Sequence, residues 1–242
     1  MRTPDSDSAV TIEARGETTL LLRFGHGIDS ALSARVHEAA AALRAARLRG
    51  VVDLVPAYAT LAITYAPGAW SDGEDAPWRR LTTAIRAILE KTQAHDTSNH
   101  EAIEIPVRYG SHHGPDLDEL TQQLDLSTSD FIARHAAVEY RVAMIGFAPG
   151  FPYLLGLDPT LHAPRRANPR TRVPRGSVAI GGAQTGIYPS QLPGGWQLIG
   201  RTPLVLFDAL REPPCLLAAG DRVHFRAIED EEFDALERTR SG

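Results

Sequence analysis

From about Val10 to Gln93 the hydrophobic positions switch between two periods. Thr18 to Phe24 is a short run of leucine and β-branched residues and predicts a strand. Ile28, Leu32, Val36, Ala39, Ala40 and Leu43 then recur at steps of three and four, which marks one face of a helix. Asp29 and Ser30 stand where its cap is expected. Val51–Val55 and Leu61–Tyr65 predict two strands around the turn-prone Pro56–Thr60 stretch, and Trp78, Leu81, Ile85, Ile88 and Leu89 return to helical spacing. Strand, helix, two strands and helix describe a small α/β layer whose leucines and aromatics form its core.

Residues Ala94–His100 are polar and aperiodic, so the domain boundary is placed there, between 1–95 and 96–242, with His95 and His100 as solvated linker residues. Alternation resumes over Glu101–Tyr109 on Ile103, Ile105 and Val107. Two short helices are expected at Pro115–Leu124 and Thr128–Ala137, the second opened by a loose capping box of Ser127 and Asp130. The texture changes at Gly146. Ten glycines and nine prolines fall in the 58 residues to Pro203, against ten and eight in the other 184. Interleaved residues such as Phe147, Phe151, Val178, Ile180, Ile187 and Trp196 can build a core, so the segment predicts short strands joined by fixed turns in a compact β-barrel. Pro203–Phe207 and Arg222–Phe225 are expected as its closing strands and Glu229–Leu236 as a terminal helix. The fold class is therefore α+β.

Composition narrows the function classes. A net charge of −5 argues against a general nucleic-acid binder. The single Cys215 excludes an internal disulfide framework and a cysteine-rich metal site. Met1–Ser8 lacks the apolar core of a signal peptide, and no apolar run approaches the roughly 20 residues that span a bilayer, so a cytoplasmic, non-membrane protein is expected.

Common catalytic signatures are missing. Gly181–Gly186 is glycine-rich but has no P-loop lysine, and neither a G-x-S-x-G elbow nor an H-E-x-x-H helix occurs. The adjacent His112 and His113 are read as loop residues without metal. What remains is a set of unusual loops. Gly146–Tyr153 joins rigid turns to three aromatics, either as a buried turn or as an apolar wall beside a ligand. Pro164–Arg175 holds Arg165, Arg166, Arg170, Arg172 and Arg175 with three prolines and no acidic residue. It reads either as a solvated basic loop or as an anion site, since guanidinium forks grip phosphate and carboxylate at two points. Gly194-Gly195-Trp196 and Gly200-Arg201-Thr202 aim a large or charged side chain from a turn.

These residues carry a resemblance. HAAVEYRVAMIGFAPGFPYLLGLDP, PRRANPRTRVPRGSVAIGGAQTGIYPSQLPGGWQLIGRTPLVLFD and LLAAGDRVHF are similar to the B-subunit family of 5-oxoprolinase, also named allophanate hydrolase subunit 1 and histidine-kinase inhibitor protein. The resemblance implies a cyclophilin-like barrel as the C-terminal domain. It also implies work beside two partners, a homologous second cyclophilin-like protein (the C-subunit) and an amidohydrolase-type protein (the A-subunit). Together these open 5-oxo-L-proline to L-glutamate with ATP, and magnesium, at the level of the complex. Inhibition of a sensor histidine kinase and an allophanate hydrolase role are the alternatives. Within the matching motifs, Arg172 and Arg201 are the candidates for stabilising the transferring phosphoryl group. His135 is the candidate proton carrier near its ordinary pKa, or else a satisfied structural histidine. Gln184, Tyr188 and Ser190 are expected to orient substrate, with Phe147, Phe151 and Trp196 as the apolar wall. Arg166 is expected to be dispensable.

Overall fold

The structure, a computed structural model, describes residues 10–92 and 101–240 of the chain. Chain contacts group residues 1–99 and 100–242 into two compact units. The linker expected at Ala94–His100, with the boundary at 95/96, lies outside the described residues.

The N-terminal unit runs β1 (Thr11–Arg15), β2 (Thr19–Arg23), α1 (Ser30–Ala46), β3 (Val51–Ala57), β4 (Thr60–Tyr65) and α2 (Pro77–Leu89). Its antiparallel sheet has the order β1-β2-β4-β3. Alternate residues of β2 and β4 point inward, so Leu20, Leu22, Leu61 and Ile63 meet Val36 and Ala40 of α1 and Leu81 and Ile85 of α2. Asp29 caps α1 by accepting from the Leu32 amide at 2.9 Å. The edge strand β1 went unread in the sequence because only Ile12 of its five residues is even partly buried.

The C-terminal unit contains β5 (Ile103–Tyr109), α3 (Leu117–Gln123), α4 (Thr128–Ala137), β6 (Glu139–Ile145), β7 (Pro152–Leu155), β8 (Arg170–Val173), β9 (Ser177–Gly181), β10 (Gln184–Ile187), β11 (Leu192–Gly194), β12 (Gln197–Arg201), β13 (Arg222–Ala227) and α5 (Asp230–Arg240). Seven strands close a barrel in the order β10-β7-β6-β13-β5-β12-β9, and the β9–β10 pair completes the ring. All neighbours are antiparallel except β5 and β13, the first and last barrel strands, which run parallel. Inward residues Ile105, Val107, Tyr140, Val142, Leu154, Val178, Ile180, Ile187, Ile199 and Phe225 fill the interior. Outside the ring β8 and β11 form a two-stranded ribbon. Phe151, Val173, Ala179, Tyr188, Trp196 and Leu198 make a second, smaller core. The fold is thus α+β, with a small layered unit and a cyclophilin-like barrel.

Ser127 caps α4 as its sequence predicts, accepting from the Asp130 amide at 3.0 Å and donating to the Asp130 carboxylate at 2.7 Å. One expectation is corrected: Pro203–Phe207 is not a closing strand. Pro203 has no N–H for a ladder, the Val205 carbonyl accepts from the Arg211 guanidinium at 3.1 Å, and the Leu206 carbonyl accepts from the Leu216 amide at 2.8 Å and from Arg211 at 3.4 Å. Only the isolated bridge Phe207–Cys215 remains. Among the described residues no helix is long and apolar enough to cross a membrane.

Candidate functional site

The turn between β6 and β7 sets the first wall of the site. Phe147 adopts φ 67°, a left-handed conformation that is an outlier for a bulky residue, and its ring stays 60% exposed. Its edge meets Phe151 at 5.4 Å and Tyr188 at 6.4 Å. Phe151 in turn stands edge-to-face with Tyr188 (5.2 Å) and Trp196 (5.8 Å), while Tyr153 lies 5.8 Å from Trp196. Perpendicular packing suits the ring quadrupoles and leaves a gap that parallel stacks would close. The result is a cleft of about 200 Å³ lined by these five rings, Arg165, Pro169, Pro193 and the Gly194-Gly195 backbone.

Two glycines make that arrangement possible. The Trp196 indole lies across Gly181, where a Cβ would sit 2.5 Å from Cε2. The Tyr188 hydroxyl occupies the space a Cβ on Gly194 would need. The glycine density of the sequence therefore serves ring packing here as well as turns. Burial raises the Tyr188 and Tyr153 hydroxyl pKa values, and the positive charge of Arg165 works against both shifts. Both phenols are neutral hydrogen-bonding groups at neutral pH.

Of the residues expected to contact substrate, the structure brings Phe147, Phe151, Tyr188 and Trp196 together in the cleft. Gln184 and Ser190 are not among its lining. Gln184 is buried in β10 opposite Gly181, and Ser190 is exposed in the turn beyond Tyr188.

The arginines separate by environment. Asp116, 3% exposed, takes Arg166 Nη1 at 2.6 Å on one oxygen and grips Arg170 through both oxygens at 2.7 and 2.8 Å. Its second oxygen also accepts the Leu198 backbone amide at 2.7 Å. The basic loop thus has a carboxylate partner, supplied from 50 residues upstream, and Arg166, expected to be dispensable, is one of the two arginines held by it. Arg201 sends Nε to the Arg175 carbonyl at 2.9 Å, reaches Glu237 of α5 at 3.4 Å and lies 5.6 Å from the Phe233 ring. Arg172 is exposed on β8 and has no ion pair among the described residues. Neither lines the cleft. Arg165 does, with its guanidinium 5.8 Å from the Trp196 ring centre.

His135 is a second correction. It is fully buried in the last turn of α4, with Nδ1 2.8 Å from the Tyr109 hydroxyl and Nε2 3.2 Å from Thr185 Oγ1. Burial pushes its pKa down to about 3, so the ring is neutral at physiological pH and is no proton carrier near the ordinary value. It packs 4.7 Å from Phe225 and fits its structural reading. His113 is likewise buried, against Phe233 at 4.3 Å. No group of three His, Cys, Asp or Glu side chains that could hold a metal occurs among the described residues.

Sequence reasoning missed Asp116, and it did not single out Tyr153 among the aromatics of the Gly146–Tyr153 turn or Arg165 among the arginines of the basic loop. Tyr153 was accessible: two residues from Phe151 on an extended segment, it shares that residue's face. Asp116 carried no local signal, and nothing in the run of five arginines distinguishes Arg165.

Fold and cleft together define a two-unit α+β protein whose barrel carries an aromatic pocket edged by Arg165, which has no ion pair among the described residues. The chain belongs to the carboxyltransferase domain family, subdomain C and D, whose model matches residues 10–217. It is 39% identical over 228 residues to the 5-oxoprolinase B-subunit of Bacillus subtilis (strain 168), spanning 93% of this chain and 95% of that one. The crystal structure of TTHA0988 superposes with a TM-score of 0.75 at 40% identity, over 87% of this chain and 40% of the other. The urea amidolyase of K. lactis shares the fold at a TM-score of 0.71 and 21% identity, with 96% of this chain covering 16% of that much longer protein.

Proposed function

We propose that the chain is one component of an ATP-dependent 5-oxoprolinase complex that opens 5-oxo-L-proline to L-glutamate. The observation that carries the reading is the near end-to-end match, at 39% identity, to a protein named as the B-subunit of 5-oxoprolinase. The cleft supports it. A space of about 200 Å³ walled by five aromatic rings suits a small ring and is too small for a whole nucleotide.

The chemistry explains the demand for ATP. A five-membered lactam is a resonance-stabilised amide and a poor electrophile; at the level of the complex, ATP with magnesium would supply a phosphoryl group that activates the amide carbon, so that water adds there, the C–N bond breaks with the nitrogen leaving as the amine, and phosphate is released. This chain's share is positional. The rings hold the lactam face and exclude water, the Tyr188 and Tyr153 hydroxyls offer neutral hydrogen bonds, and rim arginines meet negative charge. Arg172, exposed on β8 and without an ion pair among the described residues, is a surface cation offered to an anion arriving from a partner protein. Those partners are a homologous cyclophilin-like protein and an amidohydrolase-type protein.

The test is reconstitution. The purified chain alone should release no glutamate from 5-oxo-L-proline and ATP, and the three-component mixture should do so in proportion to ATP consumed. Equal turnover by the mixture with and without this chain would remove the proposal.

A further inference from the structure

We propose that Arg165 recognises the carboxylate of the cleft's ligand and that Asp116 is the positioning residue that holds it in place. The inference rests on the oxoprolinase reading for the choice of ring and assigns the ring's acidic group to one side chain.

Arg165 is the single charged side chain among those lining the cleft; the rest are aromatic rings, prolines and glycine backbone. Its guanidinium lies over Trp196 at 5.8 Å and has no carboxylate partner among the described residues. Arg165 is itself exposed, so its guanidinium is available to an anionic group entering the cleft and can grip a carboxylate at two points.

The backbone around it is fixed on both sides. Ala163 exchanges hydrogen bonds with Gly182 at 3.2 and 2.7 Å, and the Pro164 carbonyl accepts from the Gln197 side chain at 3.1 Å. The Arg166 amide donates to the Gly195 carbonyl at 2.7 Å, and the Arg166 side chain ends on Asp116. Four residues on, Arg170 is held by the same carboxylate. Asp116 therefore engages the guanidiniums of Arg166 and Arg170 but not that of Arg165, while pinning the loop that carries it. A fixed backbone with an unpaired cation at the mouth of a ring-sized cleft is preorganised for a small ring carboxylate, because little ordering remains to be done on binding.

The experiment compares two ligands of the full-length chain by calorimetry: 5-oxo-L-proline, and 2-pyrrolidinone, the same lactam ring without the carboxylate. The wild type should favour 5-oxo-L-proline by about 10- to 100-fold, the range of one charge-assisted bond. Arg165→Gln should bring that ratio close to one with 2-pyrrolidinone affinity unchanged, and Arg165→Lys should restore part of it, since a point charge does not reproduce the fork. Asp116→Asn should lower the ratio while sparing 2-pyrrolidinone, a selectivity that general loosening of the barrel would not produce. An unchanged ratio in Arg165→Gln overturns the proposal, as does a wild type that binds both compounds equally or neither. Turnover by the reconstituted complex separates this from the parent reading: wild-type KM for 5-oxo-L-proline in Arg165→Gln keeps the oxoprolinase function and removes Arg165 from it. Absent turnover in the complex, with Arg165-dependent selectivity intact, removes the oxoprolinase function and keeps the residue.

Discussion

Asp116 and Arg170 face each other through two hydrogen bonds of 2.7 and 2.8 Å, although 54 residues separate them in the chain. The carboxylate is almost wholly buried, and the two guanidiniums it serves are about a quarter exposed. Removing one partner of such a cluster costs more than the pair contributes, because the remaining charges lose their compensation. Asp116→Ala should destabilise the C-terminal unit by about 3 kcal/mol, the low end of the range for buried pairs because the arginines retain some solvent. Arg166→Ala should cost about 1–2 kcal/mol, one charge-assisted bond. Trp196 is the one tryptophan of this unit, so urea unfolding followed by its emission in a Trp70→Phe, Trp78→Phe background reads both values. Loss of less than about 0.5 kcal/mol in Asp116→Ala would show that the cluster does not hold the loop.

His135 makes stability depend on pH in a defined window. Its folded-state pKa is about 3, below the unfolded value of roughly 6.5. Between these values the unfolded chain binds the extra proton, so stability rises with pH and falls as pH drops below about 6.5. From pH 7.5 to pH 5 the wild type should lose about 2 kcal/mol more than His135→Gln, at about 1.4 kcal/mol per pH unit. Parallel pH profiles of the two proteins would reject the buried neutral ring.

Gly181→Ala tests the packing behind the cleft. The new methyl group would press on the Trp196 indole, a rigid and nearly buried ring. Overpacking of this kind costs about 1–3 kcal/mol. The Trp196 emission should shift to the red as the ring moves outward, and 2-pyrrolidinone binding should weaken with it. Retained binding and emission would mean that the cleft tolerates a displaced indole.

Arg201→Ala should act on α5. Its guanidinium spans the Arg175 carbonyl, Glu237 and the Phe233 ring, so its loss should speed hydrogen exchange in α5 with little change at the β9–β10 pair. An unaltered α5 together with at least a 10-fold fall in reconstituted activity would return Arg201 to the chemistry.

Periodicity carried the regular elements because burial enforces it: β2, β4, α1 and α4 each keep one face inward, and their residues repeat accordingly. β6 escaped notice because it follows α4 after a single residue and buries both Val142 and Ala143, which blurs the alternation. Four aromatics of the cleft were legible, since large rings beside glycines have few uses other than packing or recognition. The fates of the arginines were not. Whether a guanidinium is spent or free depends on an acid that the fold delivers from elsewhere, and Asp116 has no spacing relationship to Arg166 or Arg170. His135 shows the same limit in another form, since residue type sets a pKa near neutrality and only burial moves it to about 3.

The parallel pairing of β5 with β13 has a consequence for how this protein is made. Ile103–Tyr109 emerges from the ribosome early in the barrel's sequence, but one of its edges waits for Arg222–Ala227. Until that segment is synthesised, the nascent barrel is an open sheet whose β5 and β6 edges are both unpaired, and such edges recruit other strands. Contacts of that sequence separation also form slowly. Synthesis therefore passes through an interval, from Arg201 to Arg222, in which the chain has most of its core and no seal, and a pause or truncation before Arg222 should send it to chaperones or aggregates rather than to a smaller working form.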